Sequence, residues 1–469
     1  MNRRGPAAVV GLGLVVLAVV AGLIHTAGWS ASGVTAGADR AGDNRSVADH
    51  TAASRVPPAG GGVASGPGNR PGPVPAHPAQ AIGALLNRRA AALRAGDRAG
   101  WLAGLDPSSD PTATRFRTQQ GQVFDRVHTL RPATWTYRVR SGSALPAGDG
   151  ATTGEVAWLA QVQLEYQLLP GGPQVHRDQF LTIVRRGGQW RIRTDTDGAT
   201  GTDIWDLGPI AQTRSSRCLV IGAWARRAQI TQLAGECGRS ARTVDTAWGR
   251  DWNRRTVLIV PNTLHQLAVL LGRSAPGTPA ATSPDSQAGL SRTAAVTIGP
   301  ADAAADEVLI NGQAFGQLRA IGRRVVLTHE LVHVATRATG ARWAPTWLEE
   351  GFADYVAYAG TGLSPDQVAG DALTAVRAGR IPAHLPATDD FNAAGNQAAS
   401  AYGQAWIAAQ LIARKAGGRP RMRAFYQQAA AGPGPGSPAA LNAAFARLGL
   451  HDTAAFVVRW QARLRRLAG

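Results

Sequence analysis

The chain has 469 residues, 44% of them hydrophobic, which is enough to bury the cores of two or three domains. Its formal net charge of +18 comes almost entirely from arginines. A charge of this size can indicate nucleic acid or an anionic surface as a partner. The arginines occur in every segment, however, and no recurring aromatic and basic pattern suited to base stacking accompanies them. We therefore expect no nucleic-acid partner, and attraction to an acidic cell surface stays open.

The first residues of the chain have the pattern of an export signal. A short basic leader precedes an uncharged apolar run from Ala7 to Ile24. Because arginines lie before this run, the positive-inside rule places the bulk of the chain outside the cytoplasm. We expect residues 1–27 to form a signal anchor that crosses the cell membrane once. Small residues after the run also suit cleavage of a signal peptide, which would make the protein secreted.

The only two cysteines, Cys218 and Cys237, suit an exported protein. In an oxidising compartment an isolated pair is more often a disulfide than a metal site. We therefore expect a disulfide between them, and the alternative is two buried free thiols.

Two segments are expected before the cysteines. Residues 28–79 are rich in Gly, Ala, Pro and Ser without apolar periodicity, which indicates a disordered stalk. Residues 80–207 are expected to form an α+β domain of helices followed by antiparallel strands. The helices are predicted at 81–95, 97–105 and 118–127, and the strands at 134–140, 156–168, 179–185 and 190–193. This order and the strand ending GGQWRIRTD resemble the cone-shaped nuclear-transport-factor-like superfamily, which implies a binding or spacing module.

Residues 213–469 are expected to form a second, mainly helical domain with a small sheet. Short apolar runs predict strands at 256–261, 294–298 and 307–311. Helices are predicted at 219–234, 241–252, 262–271 and 318–338, and the chain after Pro345 is expected to be mainly helical. Four tryptophans are expected in the core: Trp224, Trp248, Trp252 and Trp347.

The sequence HELVH at residues 329–333 is the strongest chemical signal in the chain. On a helix, His329 and His333 project from nearly the same face and can bind one metal ion. Glu330 lies at the edge of that face, where it can act as a general base toward water. The surrounding residues are apolar on most sides, so the helix is expected to be buried. Two histidines and a glutamate there are costly unless something binds them.

A third metal ligand is predicted downstream, because catalytic zinc usually has three protein ligands and one open position. A helix that Pro345 starts carries Glu350 and Asp354 four residues apart on one face. We expect Glu350 to complete the ligand set and Asp354 to accept a hydrogen bond from a ligand histidine. Glu349 is the alternative ligand, and otherwise it is expected to be a solvated surface carboxylate.

The sequence HELVH followed by WLEEGFADY resembles the gluzincin zinc metallopeptidases, most of all the peptidase-MA-like proteins of bacteria. That resemblance implies one Zn²⁺ per chain, ligated by His329, His333 and Glu350, with Glu330 as the base and Asp354 behind a histidine. It also implies a tyrosine from a later helix, Tyr402, as the donor to the oxyanion; a packed core tyrosine is the alternative. The strand at 307–311 is expected at the sheet edge, where an extended substrate would pair.

The sequence therefore predicts a membrane-tethered zinc endopeptidase that acts on a peptide or protein outside the cytoplasm. No motif for holding a substrate amino terminus is evident, which argues against an aminopeptidase. One alternative is an inactive envelope binding or scaffold protein with the same fold. Another is a zinc hydrolase of a non-peptide amide.

Overall fold

The computed structural model describes residues 78–145, 156–252, 255–273, 290–291, 293–299, 306–393 and 395–469. The predicted anchor and residues 28–77 of the predicted stalk lie outside these ranges. Within them, no helix is both long and apolar enough to cross a membrane. The described chain is α+β, as predicted: an antiparallel sheet and a mixed sheet precede a mainly helical region.

The first region has three helices and a four-stranded antiparallel sheet in chain order. Asp97 and Asp110 cap the second and third helices by accepting hydrogen bonds from backbone N–H groups. The third helix begins earlier than predicted because Asp110 caps it there. The elements are α1 (Ala79–Ala95), α2 (Arg98–Ala103), α3 (Pro111–Leu130), β1 (Thr134–Leu145), β2 (Ala157–Gln167), β3 (Val175–Arg186) and β4 (Gln189–Thr194).

The second sheet has five strands in the order β5-β6-β7-β9-β8. Its three inner strands are parallel, and each edge strand is antiparallel to its neighbour. The strands are β5 (Ile210–Arg214), β6 (Cys218–Ala223), β7 (Thr256–Val260), β8 (Ala295–Ile298) and β9 (Glu307–Ile310). The strand predicted at 307–311 is therefore an inner strand, and β8 is the edge strand. The expectation that residues 307–311 lie at the edge is wrong.

Eleven helices complete the described chain. They are α4 (Arg227–Trp248), α5 (Leu264–Leu270), α6 (Gly312–Gln317), α7 (Ala320–Ala338), α8 (Thr346–Ala357), α9 (Pro365–Arg377), α10 (Thr388–Asn392), α11 (Asn396–Ala416), α12 (Arg419–Ala429), α13 (Pro438–Ala446) and α14 (Thr453–Ala468). The chain after Pro345 is mainly helical, as expected.

The helix predicted at 219–234 is wrong in its first part, because those residues form β6 and a short 3-10 turn. A short apolar run such as Leu219–Ile221 has no periodicity that separates a buried strand from a buried helix. Its hydrogen-bonded neighbours on both sides decide the outcome. Trp224 follows in the turn and is 55% exposed, so its predicted core position is also wrong. Trp248, Trp252 and Trp347 are buried as expected.

Both faces of the five-stranded sheet are covered. On one face Val220, Leu258 and Val308 belong to the same apolar core as the helices α7, α8 and α11. On the other face the alternate residues, such as Leu219 and Ile259, share a core with aromatic residues of the first region. The sheet therefore separates residues 80–207 from the helices that carry HELVH.

A buried ion pair joins the first region to this sheet. Arg177 on β3 donates to Glu307, the first residue of β9, at 2.7 Å and to Asp203 at 3.0 Å. The hydroxyl of Tyr166 also donates to Asp203, at 2.8 Å. Burial alone would lower the pKa of Arg177, but the negative charges around it raise the pKa above its usual range. This pair fixes where residues 80–207 dock on the sheet.

The predicted disulfide is present, between Cys218 on β6 and Cys237 on α4. Its residues are 19 apart in sequence, so the bridge restricts the unfolded chain.

We expect the double variant Cys218→Ala/Cys237→Ala to lose about 3 kcal/mol of unfolding free energy, measured by urea denaturation. Dithiothreitol should destabilise the natural protein by a similar amount and leave the variant unchanged. Equal stability of the two proteins without reductant would contradict this.

Candidate metal centre

The helix α7 is buried along its middle turns, as its apolar sequence predicts. Every residue from Val325 to Thr336 is buried. His329 and Glu330 are 0% exposed and His333 is 1% exposed. Polar groups removed from water in this way are costly without partners, so each of the three needs a compensating contact.

The helix α8 supplies the carboxylates that meet these histidines. Pro345 precedes the helix at its N-cap, and Glu350 and Asp354 are both buried on its inner face. Gly351 lies against α11 so closely that an added Cβ would be 2.3 Å from the carbonyl oxygen of Ala405. Only glycine permits this approach, which explains the small residue after Glu350. The helix α8 is therefore packed between α11, which Gly351 contacts, and α7, which carries the histidines that Glu350 faces.

Three side chains converge as a metal-binding group. The Nε2 atoms of His329 and His333 are 2.9 Å apart. Glu350 Oε2 lies 3.2 Å from Nε2 of His329 and 3.7 Å from Nε2 of His333. Two ligands at about 2.0–2.1 Å from a tetrahedral ion are separated by about 3.4 Å, and the three distances bracket that value. The donor set and its spacing can therefore hold a metal ion.

The buried oxygen of Glu350 supports the same conclusion. Among the described residues, Oε2 of Glu350 has no hydrogen bond of good geometry, although His329 lies close to it. Burial alone would raise the pKa of Glu350, but the two histidines lower it to about 2. Burial lowers the pKa of His333 to about 4. An ionised carboxylate and a neutral imidazole are the forms that bind a metal ion.

Asp354 orients the first histidine, as predicted. Its Oδ1 lies 2.9 Å from Nδ1 of His329. Because a carboxylate accepts hydrogen bonds, Nδ1 of His329 donates here, and Nε2 is the atom directed at Glu350. Burial alone would lower the pKa of His329, but the hydrogen bond to Asp354 and the nearby carboxylate of Glu350 raise it to about 10. These two carboxylates therefore favour the charged form of His329.

Glu330 points to a different set of neighbours. Thr297, on the edge strand β8, donates from its hydroxyl to Oε2 of Glu330 at 2.7 Å. The other oxygen, Oε1, has no hydrogen-bond partner among the described residues. Burial raises the pKa of Glu330 to about 7. A carboxylate held on one oxygen and free on the other is suited to exchanging a proton with a bound molecule.

Sequence reasoning alone does not single out Thr297. Its one signal is a hydroxyl residue in the otherwise apolar run Ala295–Ile298, all of it buried. Its role depends on β8 passing beside α7, and that is a property of the sheet order.

Tyr402, the predicted oxyanion donor, lies in α11 close to the same charges. It is 7% exposed, and its ring packs edge-on against Phe391 at 5.1 Å. Burial raises its pKa far above the usual value, and the charges of Glu350, Asp354 and Glu330 raise it further. The hydroxyl is therefore neutral and can only act as a hydrogen-bond donor or acceptor.

Glu349, the alternative ligand, is not part of the metal-binding group. It is half-buried rather than solvated, and burial raises its pKa to about 8. The positive charge of Arg337, one turn beyond His333 on α7, partly offsets this rise in the pKa of Glu349. Arg337 also pairs with Asp306, at 3.5 Å.

The structure thus brings together His329, His333 and Glu350 as a group that can hold a metal ion. Asp354 and Glu330 contact or adjoin that group, and Tyr402 is within its electrostatic reach. No protein-family model and no curated protein matches the sequence.

The raised pKa of Glu330 predicts how the metal-free protein responds to pH. The folded state holds this proton up to pH about 7, whereas the unfolded chain releases it near 4.5. Stability is therefore full below pH 4.5 and is lost as the pH rises toward 7. In Glu330→Gln this loss is absent, so the variant should gain about 3 kcal/mol over the natural protein between pH 4 and pH 8.

The measurement is urea denaturation of chelator-treated protein at several pH values. The natural protein, treated in the same way, is the reference at each pH. A Glu330→Gln difference that is constant with pH would contradict the prediction.

Proposed function

We propose that this protein is a zinc-dependent metallopeptidase of the gluzincin type, an endopeptidase that acts outside the cytoplasm. The observation that carries the proposal is the convergence of His329, His333 and Glu350 with Glu330 on the same helix as the histidines. The two ligand histidines and the glutamate would hold one Zn²⁺. When bound, zinc lowers the pKa of water and polarises a peptide carbonyl.

The residues of the chain would divide the remaining work. Asp354 keeps the Nε2 lone pair of His329 available by holding the hydrogen on Nδ1. Glu330 would remove the proton of the attacking water and pass it to the leaving amine nitrogen. Thr297 holds one oxygen of Glu330 in place, so that the other oxygen is the one that reacts. Tyr402 would donate a hydrogen bond to the oxyanion that develops on the carbonyl oxygen.

The location follows from the same proposal. The basic leader and the apolar run at 7–24 support export, with residues 1–27 as a membrane anchor. The disulfide supports an oxidising compartment. A peptide or protein outside the cytoplasm is then the substrate.

Zinc content is the first test. Elemental analysis of the purified full chain should give about one zinc per chain. The variant His333→Ala should lose the zinc, because only two of the three protein ligands remain. Glu330→Gln should keep the zinc, since Glu330 is not a ligand, and should lower hydrolysis of fluorescein-labelled casein about 10²- to 10⁴-fold. Absence of zinc from the natural protein after incubation with excess metal would leave an envelope binding or scaffold protein. Bound zinc without proteolysis would leave a hydrolase of a non-peptide amide.

Tyr402→Phe separates a role in catalysis from a role in packing. Removing one oxyanion donor lowers kcat about 10²- to 10³-fold, and we expect this with unchanged zinc content and little change in KM. Tyr426→Phe is a matched control, because Tyr426 is also a buried tyrosine near Arg337 and Glu349 but belongs to α12. Full turnover in Tyr402→Phe would assign Tyr402 to the core alone.

A further inference from the structure

Positive charge is concentrated at the C-terminal end of the chain. Residues 411–469 contain ten arginine and lysine residues and one acidic residue, Asp452. Their net charge is 10 − 1 = +9, which is half of the +18 carried by all 469 residues. The even scatter of arginines expected from the sequence does not hold for this segment. A concentration of charge on one part of a fold indicates an anionic partner more strongly than a high total does.

A cavity of about 330 Å³ lies within this charged segment, between α11 and α14. Its floor is apolar and includes Leu411, Leu448 and Phe456. Five cationic side chains surround the floor, and none of the residues that line the cavity is acidic. These five are Arg414, Lys415, Arg459, Arg463 and Arg466. The volume is at the lower end of the range for ligand pockets.

No acidic side chain that the structure describes pairs with any of the five cations. None of them forms an ion pair or a side-chain hydrogen bond with another residue that the structure describes. Burial and the like charges of Arg414 and Arg466 lower the pKa of Arg463. Arg414 and Lys415 are in the last turn of α11, where cations offset the helix dipole. Arg459 and Arg463 lie in the middle of α14, so the dipole does not account for them.

We propose that this cavity binds an anionic phospholipid, with the phosphate against the arginine rim and an acyl chain on the apolar floor. Charge complementarity selects an anion, and the floor selects one with an apolar part. Val458, 65% exposed beside Arg459, adds an apolar contact on the same helix for a membrane surface. Nucleic acid fits less well, because Phe456 and Trp460 are buried and offer no face for base stacking. The site is at the end of α11 remote from Tyr402 and does not depend on the metal centre.

The test is native mass spectrometry of the full chain in a nonionic detergent. The protein is incubated with equal amounts of dioleoyl-phosphatidylglycerol and dioleoyl-phosphatidylcholine, and the retained lipids are counted. We expect the natural protein to retain the anionic lipid at least fivefold more often. The double variant Arg459→Gln/Arg463→Gln should reduce that retention to the level of the zwitterionic lipid.

The matched control is Arg239→Gln/Arg242→Gln, which removes two exposed arginines from the helix α4. It should retain the anionic lipid as the natural protein does. The apolar run at residues 7–24 is the same in all variants, so it cannot produce a difference between them. A second variant, Ala462→Glu, adds a carboxylate at an exposed helical position of the cavity and should also abolish the preference. Ala462→Glu replaces the double variant in the test if the double variant is less stable than the natural protein.

Three outcomes would overturn the proposal. One is equal retention of the two lipids by the natural protein. Another is an equal loss in the control, which would show that total charge and not the cavity decides. The third is displacement of both lipids by a twenty-residue thymidine oligonucleotide that the Arg459→Gln/Arg463→Gln variant no longer binds, which would assign the cavity to nucleic acid.

Discussion

The burial of charged side chains between α7 and α8 is the constraint on which the candidate site depends. His329, Glu330, His333, Glu350 and Asp354 are each at most 4% exposed. An isolated charge in such a place is strongly unfavourable, so these groups persist only as a mutually compensating set. Removal of one partner leaves another uncompensated, and for this reason the set behaves as a unit. The packing around it serves to keep five side chains in register.

Two features of the packing hold that register. Gly351 lets α8 approach α11 to a distance that no other residue allows, which places Glu350 at the histidines. On the opposite side the sheet presents Thr297 to Glu330 through its edge strand. In that strand Ile298 pairs with Glu307, the residue that Arg177 binds from the first region. Residues 80–207 are thus connected to Glu330 through one ion pair and two paired strands.

The sequence was sufficient for the metal-binding group because its determinants are local. Spacing of four residues puts His329 with His333, and Glu350 with Asp354, on single helix faces, whatever the rest of the fold is. The fold class was equally accessible, since alternation and helical periodicity are strong over residues 80–207 and after Pro345. The individual elements between residues 213 and 311 were harder to predict, because the short apolar runs there are compatible with either a strand or a helix.

What the sequence could not give depends on contacts between distant segments. Thr297 acquires its importance only because β8 lies beside α7, and the order β7-β9-β8 is set by pairing across many residues. Trp224 is exposed because it lies in a turn between β6 and α4, and the helix predicted at 219–234 did not include this turn. The cationic cavity was missed for a related reason. Its five cations come from α11 and α14, which are far apart in sequence, and only the packing of the two helices places them around one cavity.

The charges of the site also explain how its groups can stay buried together. Burial alone would lower the pKa of His329 and raise that of Glu350, and the contacts within the set reverse both directions. Each group therefore favours the charged form of its neighbour, and this mutual compensation offsets the loss of water around them. A cation held by His329, His333 and Glu350 would compensate the carboxylate in the same way. Because such ligands bind a metal in their deprotonated forms, its affinity should weaken as the pH falls.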